Sequence, residues 1–306
     1  MKPRGVSPYL LLVLTTLFWS GNFVLARSVR LDVPPLGLSF WRWALAAALL
    51  LPFVWRTMVR DWPLVRANLG LVILLALLGV TGFNTFVYLG VQTTTASNAV
   101  LLQSVIPLLI ILLSWLLLGV SITLAQGLGI ALSLAGVLVI VTRGEPGRLL
   151  QLALVEGDLW VLAAVVSWAL YSVFLRRLPA GLGGLTLLGY TVSIGVLAIL
   201  PLYLGETLGG RTMTLEPVTI GSVLYVAVFP SLVAYLFWNR AVGEVGPNRA
   251  GQFIHLMPVF GSLLSVLLLG ERLYAYHLAG ILLVALGIYS ATFWRHPSAA
   301  VGREET

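Results

Sequence analysis

Apolar side chains fill ten blocks along the chain, and polar ones are confined largely to the gaps between them. The blocks cover about 8–27, 35–56, 68–90, 97–119, 123–142, 157–177, 183–204, 218–241, 248–270 and 274–295. A helix needs about 20 largely apolar residues to cross a bilayer. The pattern predicts an all-α polytopic membrane protein with ten transmembrane helices. The most polar connection carries Arg143, Glu145, Arg148, Glu156 and Asp158 and separates helix five from helix six.

The blocks also repeat. Ser97–Gly119 (SNAVLLQSVIPLLIILLSWLLLG) aligns with Asn248–Gly270 (NRAGQFIHLMPVFGSLLSVLLLG) at an offset of 151. In that register Ala99 meets Ala250, Pro107 meets Pro258, Gly129 meets Gly280 and Gly136 meets Gly287. The first helix of each half matches at 149, placing Trp19 on Trp168 and Arg27 on Arg176. Five helices per half is an odd number, so the second half must cross the membrane upside down. The expected organisation is a 5+5 inverted repeat. Residues 1–142 form the first five-helix unit, 143–156 the connecting loop, 157–295 the second unit and 296–306 a cytoplasmic tail.

A proline inside an apolar helix removes a hydrogen bond to the carbonyl four residues back. Pro107 and Pro258 would thereby free the carbonyls of Gln103 and Ile254. Such groups are tolerated at membrane depth only inside protein or a wet cavity. Paired breaks, one per half, point to a transport site with Pro107 and Pro258 as its hinges.

Composition agrees. Of 306 residues, 59% are hydrophobic and 9% charged, against about 25% charged in soluble domains. The net charge of +7 is a loop bias. With the N-terminus cytoplasmic, the inner loops hold eleven Lys and Arg residues and the outer loops six. Both termini are therefore expected inside. A basic start and an apolar run also fit a signal peptide, but the length of the run and its later copy favour a retained helix. No basic patch interleaved with aromatics suggests nucleic acid. Cysteine is absent, so disulfides and thiolate metal sites are excluded.

No Asp or Glu falls in the middle of a predicted helix. Clustered carboxylates for magnesium and His/Glu sets at zinc spacing are missing. No cofactor or metal is expected, and an enzyme is disfavoured. Arg42, in helix two, reads as a side chain snorkelling toward an interface. Trp43, Trp55, Trp62 and Trp294 read as belt residues. Trp19 and Trp168 lie near the middle of their helices instead, with Asn22 and Tyr171 one turn beyond. Asn84 and Tyr88 share a face of helix three, while Tyr235 and Trp238 lie in helix eight. Together with Gln103, Gln252 and His255, near the two proline breaks, these form the candidate binding set. Their aromatic faces suit a small solute with an aromatic or apolar body. The amides suit an ammonium or carboxylate. With no buried acid, zwitterions are favoured over polycations, and proton antiport through a carboxylate is disfavoured.

FWSGNFVLAR (Phe18–Arg27), Ala250, Pro258, LLLGE (Leu267–Glu271), Gly280 and Gly287 resemble the EamA-type members of the drug/metabolite transporter superfamily. The first half departs from that pattern, with Val120 where Glu is usual. The resemblance implies a basket-shaped fold with a central cavity in a bacterial inner membrane. Helices five and ten would form a scaffold behind it. Nearest within the family are exporters of aromatic amino acids, which also implies handling of aromatic cations. The expected partners are a small-molecule substrate and the lipid bilayer, and the expected state is a monomer working by alternating access. Multidrug and nucleotide-sugar carriers of the superfamily are the alternative, ahead of a membrane enzyme or scaffold.

Overall fold

The computed structural model describes residues 6–29, 32–151, 155–269, 272 and 274–293. Every regular element among them is helical. We number the rods α1 (Pro8–Ser28), α2 (Pro35–Ala67), α3 (Leu69–Thr93), α4 (Ala96–Gln103 and Ile106–Leu118) and α5 (Leu124–Val141). The second set is α6 (Glu156–Arg177), α7 (Gly184–Leu208), α8 (Pro217–Val245), α9 (Pro247–Gln252 leading into Leu256–Leu269) and α10 (Ala275–Phe293). Among the described residues, eight helices are long and apolar enough to cross a membrane. Large apolar side chains such as Phe53, Leu128, Leu197 and Leu282 point outward, as lipid contact requires and water would penalise.

The end of α2 differs most from the sequence reading. α2 runs to Ala67, eleven residues beyond the predicted end at 56. Apolarity stops at Arg56, but helix does not. The polar extension is held to α7, where Thr186 donates to Asp61 Oδ2 (3.0 Å) and Tyr190 donates to the Met58 carbonyl (2.8 Å). At the other end of α2 the Glu206 carboxylate accepts from Leu36 N (3.3 Å) and Gly37 N (2.7 Å), satisfying N–H groups that the helix start leaves orphaned.

Hydrogen bonds fix which helix ends lie together. Asp158, in the first turn of α6, is buried. It accepts from Thr94 at the end of α3 and from Asn98 in the first turns of α4. At the opposite end Arg177 donates to the Leu117 carbonyl (2.9 Å) and Arg176 to that of Gly243 (3.1 Å). Cations there complement the C-terminal dipoles of α4 and α8. α3 therefore ends where α6 begins.

α5 and α10 pack antiparallel with their backbones nearly touching. A Cβ on Gly129 would lie 2.5 Å from Gly287 O, and one on Gly287 would lie 2.5 Å from Gly129 O. Gly136 and Gly280 face each other in the same reciprocal way, at 2.7 and 2.8 Å. Only glycine permits this approach.

Candidate functional site

Four helices lose regular α-geometry near the centre, in two pairs. α3 widens to a π-helical turn at Ala76–Gly82, and α8 does so at Ala227–Val233. The two turns are 151 residues apart, the offset read from the sequence. A π-turn leaves carbonyls outside the i→i+4 ladder. Here they are used: Trp19 Nε1 donates to Pro230 O (3.1 Å), while Tyr235 Oη (2.5 Å) and Asn84 Nδ2 (3.2 Å) donate to Gly79 O. Pro230 lacks an N–H, and the Ser231 hydroxyl takes the Val226 carbonyl that it frees (2.6 Å). In α4 the break falls at Ser104 and Val105, and in α9 at the 3₁₀ turn Phe253–His255. Pro107 sits in the first turn of a restarted helix, where its missing N–H costs nothing.

Around these breaks the predicted aromatics converge. Trp168 is fully buried. Its ring lies 4.8 Å from Trp19, 4.7 Å from Phe83, 5.0 Å from Tyr171, 5.3 Å from Tyr235 and 5.5 Å from Trp238. Most of these contacts are edge-on or tilted, the geometry that suits ring quadrupoles.

A polar network runs beside the rings, and its hub is a residue the sequence reading placed elsewhere. Arg42 is only 1% exposed and does not snorkel. Its Nε donates to Ser231 Oγ (2.8 Å), and its Nη1 to Asn84 Oδ1 (2.7 Å) and Tyr88 Oη (2.5 Å). α2 crosses α3 and α8 here, so a side chain one to two turns into the helix is enclosed by protein. Trp43 is likewise buried, against Tyr235 at 5.0 Å, and is no belt residue, whereas Trp55 and Trp62 are exposed. Trp294, Gly270 and Glu271 lie outside the described residues. A charge excess read by loop position carries no signal for Arg42; only the helix crossing places it.

Two tyrosine–asparagine bridges flank the aromatic centre. Tyr88 in α3 donates to Asn22 Oδ1 in α1 (2.9 Å). Tyr171 in α6 donates to Asn239 Oδ1 in α8 (2.7 Å). Asn22 and Tyr171 are 149 residues apart and Tyr88 and Asn239 are 151 apart, so the second bridge is the first with donor and acceptor exchanged. Because α3 ends where α6 begins, the two lie on opposite sides of the centre.

Between the rods are two narrow clefts that share part of their lining, each with room for about one water. Trp19, Asn22, Phe83, Asn84 and Trp168 line one; Ser104 and Pro258 line the other. Gln103, Ile254 and Met257 line both. Gln103 is 3% exposed, and neither end of its amide has a hydrogen-bond partner among the described residues. Trp168 Nε1 and Asn239 Nδ2 are also buried without partners. Buried polar groups are ordinarily satisfied, and these are not satisfied within the described residues.

Other predicted residues lie apart. Gln252 is fully buried with an unpartnered amide, and it lines neither cleft. His255 also lines neither. Its Nδ1 is 2.6 Å from Ser133 Oγ in α5, and its Nε2 is 3.0 Å from Ser104 O. Both ring nitrogens are thereby engaged, at the joint between the two broken helices and the scaffold. The carbonyl used at the α4 break is that of Ser104, one residue beyond the expected Gln103.

The family model described as the EamA-like transporter family matches residues 6–142 and again 155–293. The chain belongs to this family. It is 29% identical over 292 residues to the uncharacterized transporter YyaM of Bacillus subtilis (strain 168), with 94% of each chain covered. It is 28% identical over 302 residues to a probable amino-acid metabolite efflux pump of Escherichia coli (strain K12), covering 93% of this chain and 95% of that one. A solved crystal structure matches with a TM-score of 0.74 at 22% identity, over 93% of this chain and 96% of the other. That last likeness speaks to the fold. As a member of the EamA family the chain is a multi-pass membrane transporter, and its relatives include efflux pumps.

Proposed function

We propose that this transporter exports small solutes with an aromatic or apolar body, aromatic amino acids above all, by alternating access. The observation that carries the reading is the central cleft, where Trp19, Phe83 and Trp168 stand beside the unpartnered amide of Gln103. Rings supply stacking faces and the amide supplies both a donor and an acceptor. Asn22, Asn84, Tyr88, Tyr171, Tyr235 and Trp238 complete the wall around it, with Pro107 and Pro258 at the hinges. In this reading Gln252 and His255 act at the joint and contact no solute in the closed state.

α1 and α9 complete ten spans, arranged as a 5+5 inverted repeat of residues 1–142 and 157–295. Three observations support the repeat. The π-turns are displaced by one repeat length, the glycine contacts of α5 and α10 are reciprocal, and equivalent residues meet at the centre. Those meetings are Trp19 with Trp168, Asn84 with Tyr235, and Ser104 with His255. The excess of Lys and Arg in one set of loops supports cytoplasmic termini in a bacterial cell, and the functional unit in this reading is a monomer. The name of the Escherichia coli relative extends the substrate class to amino-acid metabolites in general.

The test is counterflow in proteoliposomes preloaded with unlabelled phenylalanine or tryptophan, with labelled amino acid outside, with and without a pH gradient. Accumulation is expected in both conditions. Failure to accumulate any aromatic amino acid would overturn the substrate assignment. Accumulation that follows the gradient would overturn uncoupled transport and make the bonds of His255 the first place to look.

A further inference from the structure

Arg42 is a buried cation with no counter-ion among the described residues. The ion pairs among the described residues are Arg60–Asp61, Arg148–Glu145 and Arg240–Glu244, none of which involves it. Its guanidinium is held by neutral acceptors on Ser231, Asn84 and Tyr88. It lies 5.1 Å from the Trp43 ring and 5.6 Å from the Tyr88 ring. Nη2 makes no hydrogen bond among the described residues. A charge inside a membrane protein is costly unless paired or used. Neutral bonds and rings orient this one without neutralising it.

The geometry points to Arg42 as the group that recognises a carboxylate on the transported solute. This rests on reading the central cleft as the transport site. Arg42 itself stands one residue behind that cleft: Asn84, bonded to it, lines the cleft, and so does Asn22, which is linked to it through Tyr88. The solute's apolar body lies against the rings, and its carboxylate supplies the charge that Arg42 lacks. The unpartnered amide of Gln103 receives the remaining polar group. The two N–H groups left on Nη2 meet a carboxylate oxygen in a charge-assisted bond, roughly twice as strong as one to a neutral amide. The substrate class is therefore a small monocarboxylate, zwitterionic or anionic, and organic cations are excluded. Among the described residues no cation is bonded to the opposite bridge, Tyr171–Asn239, and neighbouring Arg240 is paired with Glu244, so the site is polarised and carboxylates have one end to approach.

Counterflow is measured with three probes that share one aromatic body. These are phenylalanine, N-acetylphenylalanine (carboxylate only) and phenylalaninamide (no carboxylate). The wild-type protein moves the first two and not the third. Arg42→Gln lowers counterflow of both carboxylates by about 30-fold or more, the loss expected when one member of a buried charge pair is removed. Asn84→Asp guards against misfolding, because it supplies an internal carboxylate to Arg42. It forfeits the Nδ2 donation to Gly79 O but keeps Arg42 paired, so it unfolds in one cooperative transition and loses the carboxylates as Arg42→Gln does. A wild-type preference for the amide would overturn the assignment. So would either variant keeping the wild-type preference for carboxylates. If the wild-type protein moves none of the three, the aromatic transport reading itself fails, a result distinct from those two.

Discussion

The two tyrosine–asparagine bridges are built alike but work in different electrostatic settings. Tyr88–Asn22 is joined to Arg42, whose guanidinium adds a charge-assisted bond at 2.5 Å. Tyr171–Asn239 is neutral and leaves the asparagine Nδ2 without a partner. The position in α7 that corresponds to Arg42 at an offset of 149 is Thr191, a buried hydroxyl that donates to the Leu188 carbonyl in its own helix. The difference teaches how a duplicated framework becomes directional. The backbone breaks and packing can stay symmetric while a single buried charge makes the two sides of the centre unequal.

That contrast can be broken experimentally. Tyr88→Phe removes a hydrogen bond to a charged group, so a loss of about 1.5–3 kcal/mol is expected in thermal or chemical unfolding, along with weaker transport. Gly129→Ala tests the scaffold instead. A methyl 2.5 Å from a facing carbonyl forces α5 and α10 apart, for about 1–3 kcal/mol. The carboxylate-over-amide ratio should stay unchanged in that variant; a changed ratio would mean that the scaffold tunes the site. Tyr171→Phe breaks the neutral bridge and should cost only about 0.5–1.5 kcal/mol. Equal losses in Tyr88→Phe and Tyr171→Phe would show that the Arg42 charge does not distinguish the two sides.

The smallest effect belongs to the exposed loop pair Arg148–Glu145, 2.8 Å apart. The hydrogen bond from Arg148 holds the Glu145 carboxyl below its ordinary range. Any stabilisation is therefore present above that ordinary range and fades as pH falls through the lowered value. Exposed pairs contribute little, so Arg148→Ala should leave melting and transport unchanged at neutral pH. A measurable shift would mean that the loop packs more tightly than its exposure indicates.

Much of this was legible in the linear order. Helix positions followed from apolar length, because lipid demands it at every span. The paired breaks in α4 and α9 followed from the offset of Pro107 and Pro258, and the central aromatics from Trp19 and Trp168 lying far from either helix end. The extension of α2 was missed because apolarity measures membrane depth and α-geometry does not stop there. The π-turns were missed because Ala76–Gly82 and Ala227–Val233 carry no common residue signal; their geometry is set by what their carbonyls bond to.

The sequence alone determined that the chain is helical and membrane-embedded, and which side chains sit at mid-depth, since burial in lipid acts on each segment independently. Tertiary structure alone decided which of them meet. The angle at which α2 crosses α3 and α8 turned Arg42 from an interfacial side chain into a buried hub, and packing against α5 carried His255 away from the clefts. Such contacts depend on residues more than a hundred positions apart, and no local pattern encodes the crossing that brings them together.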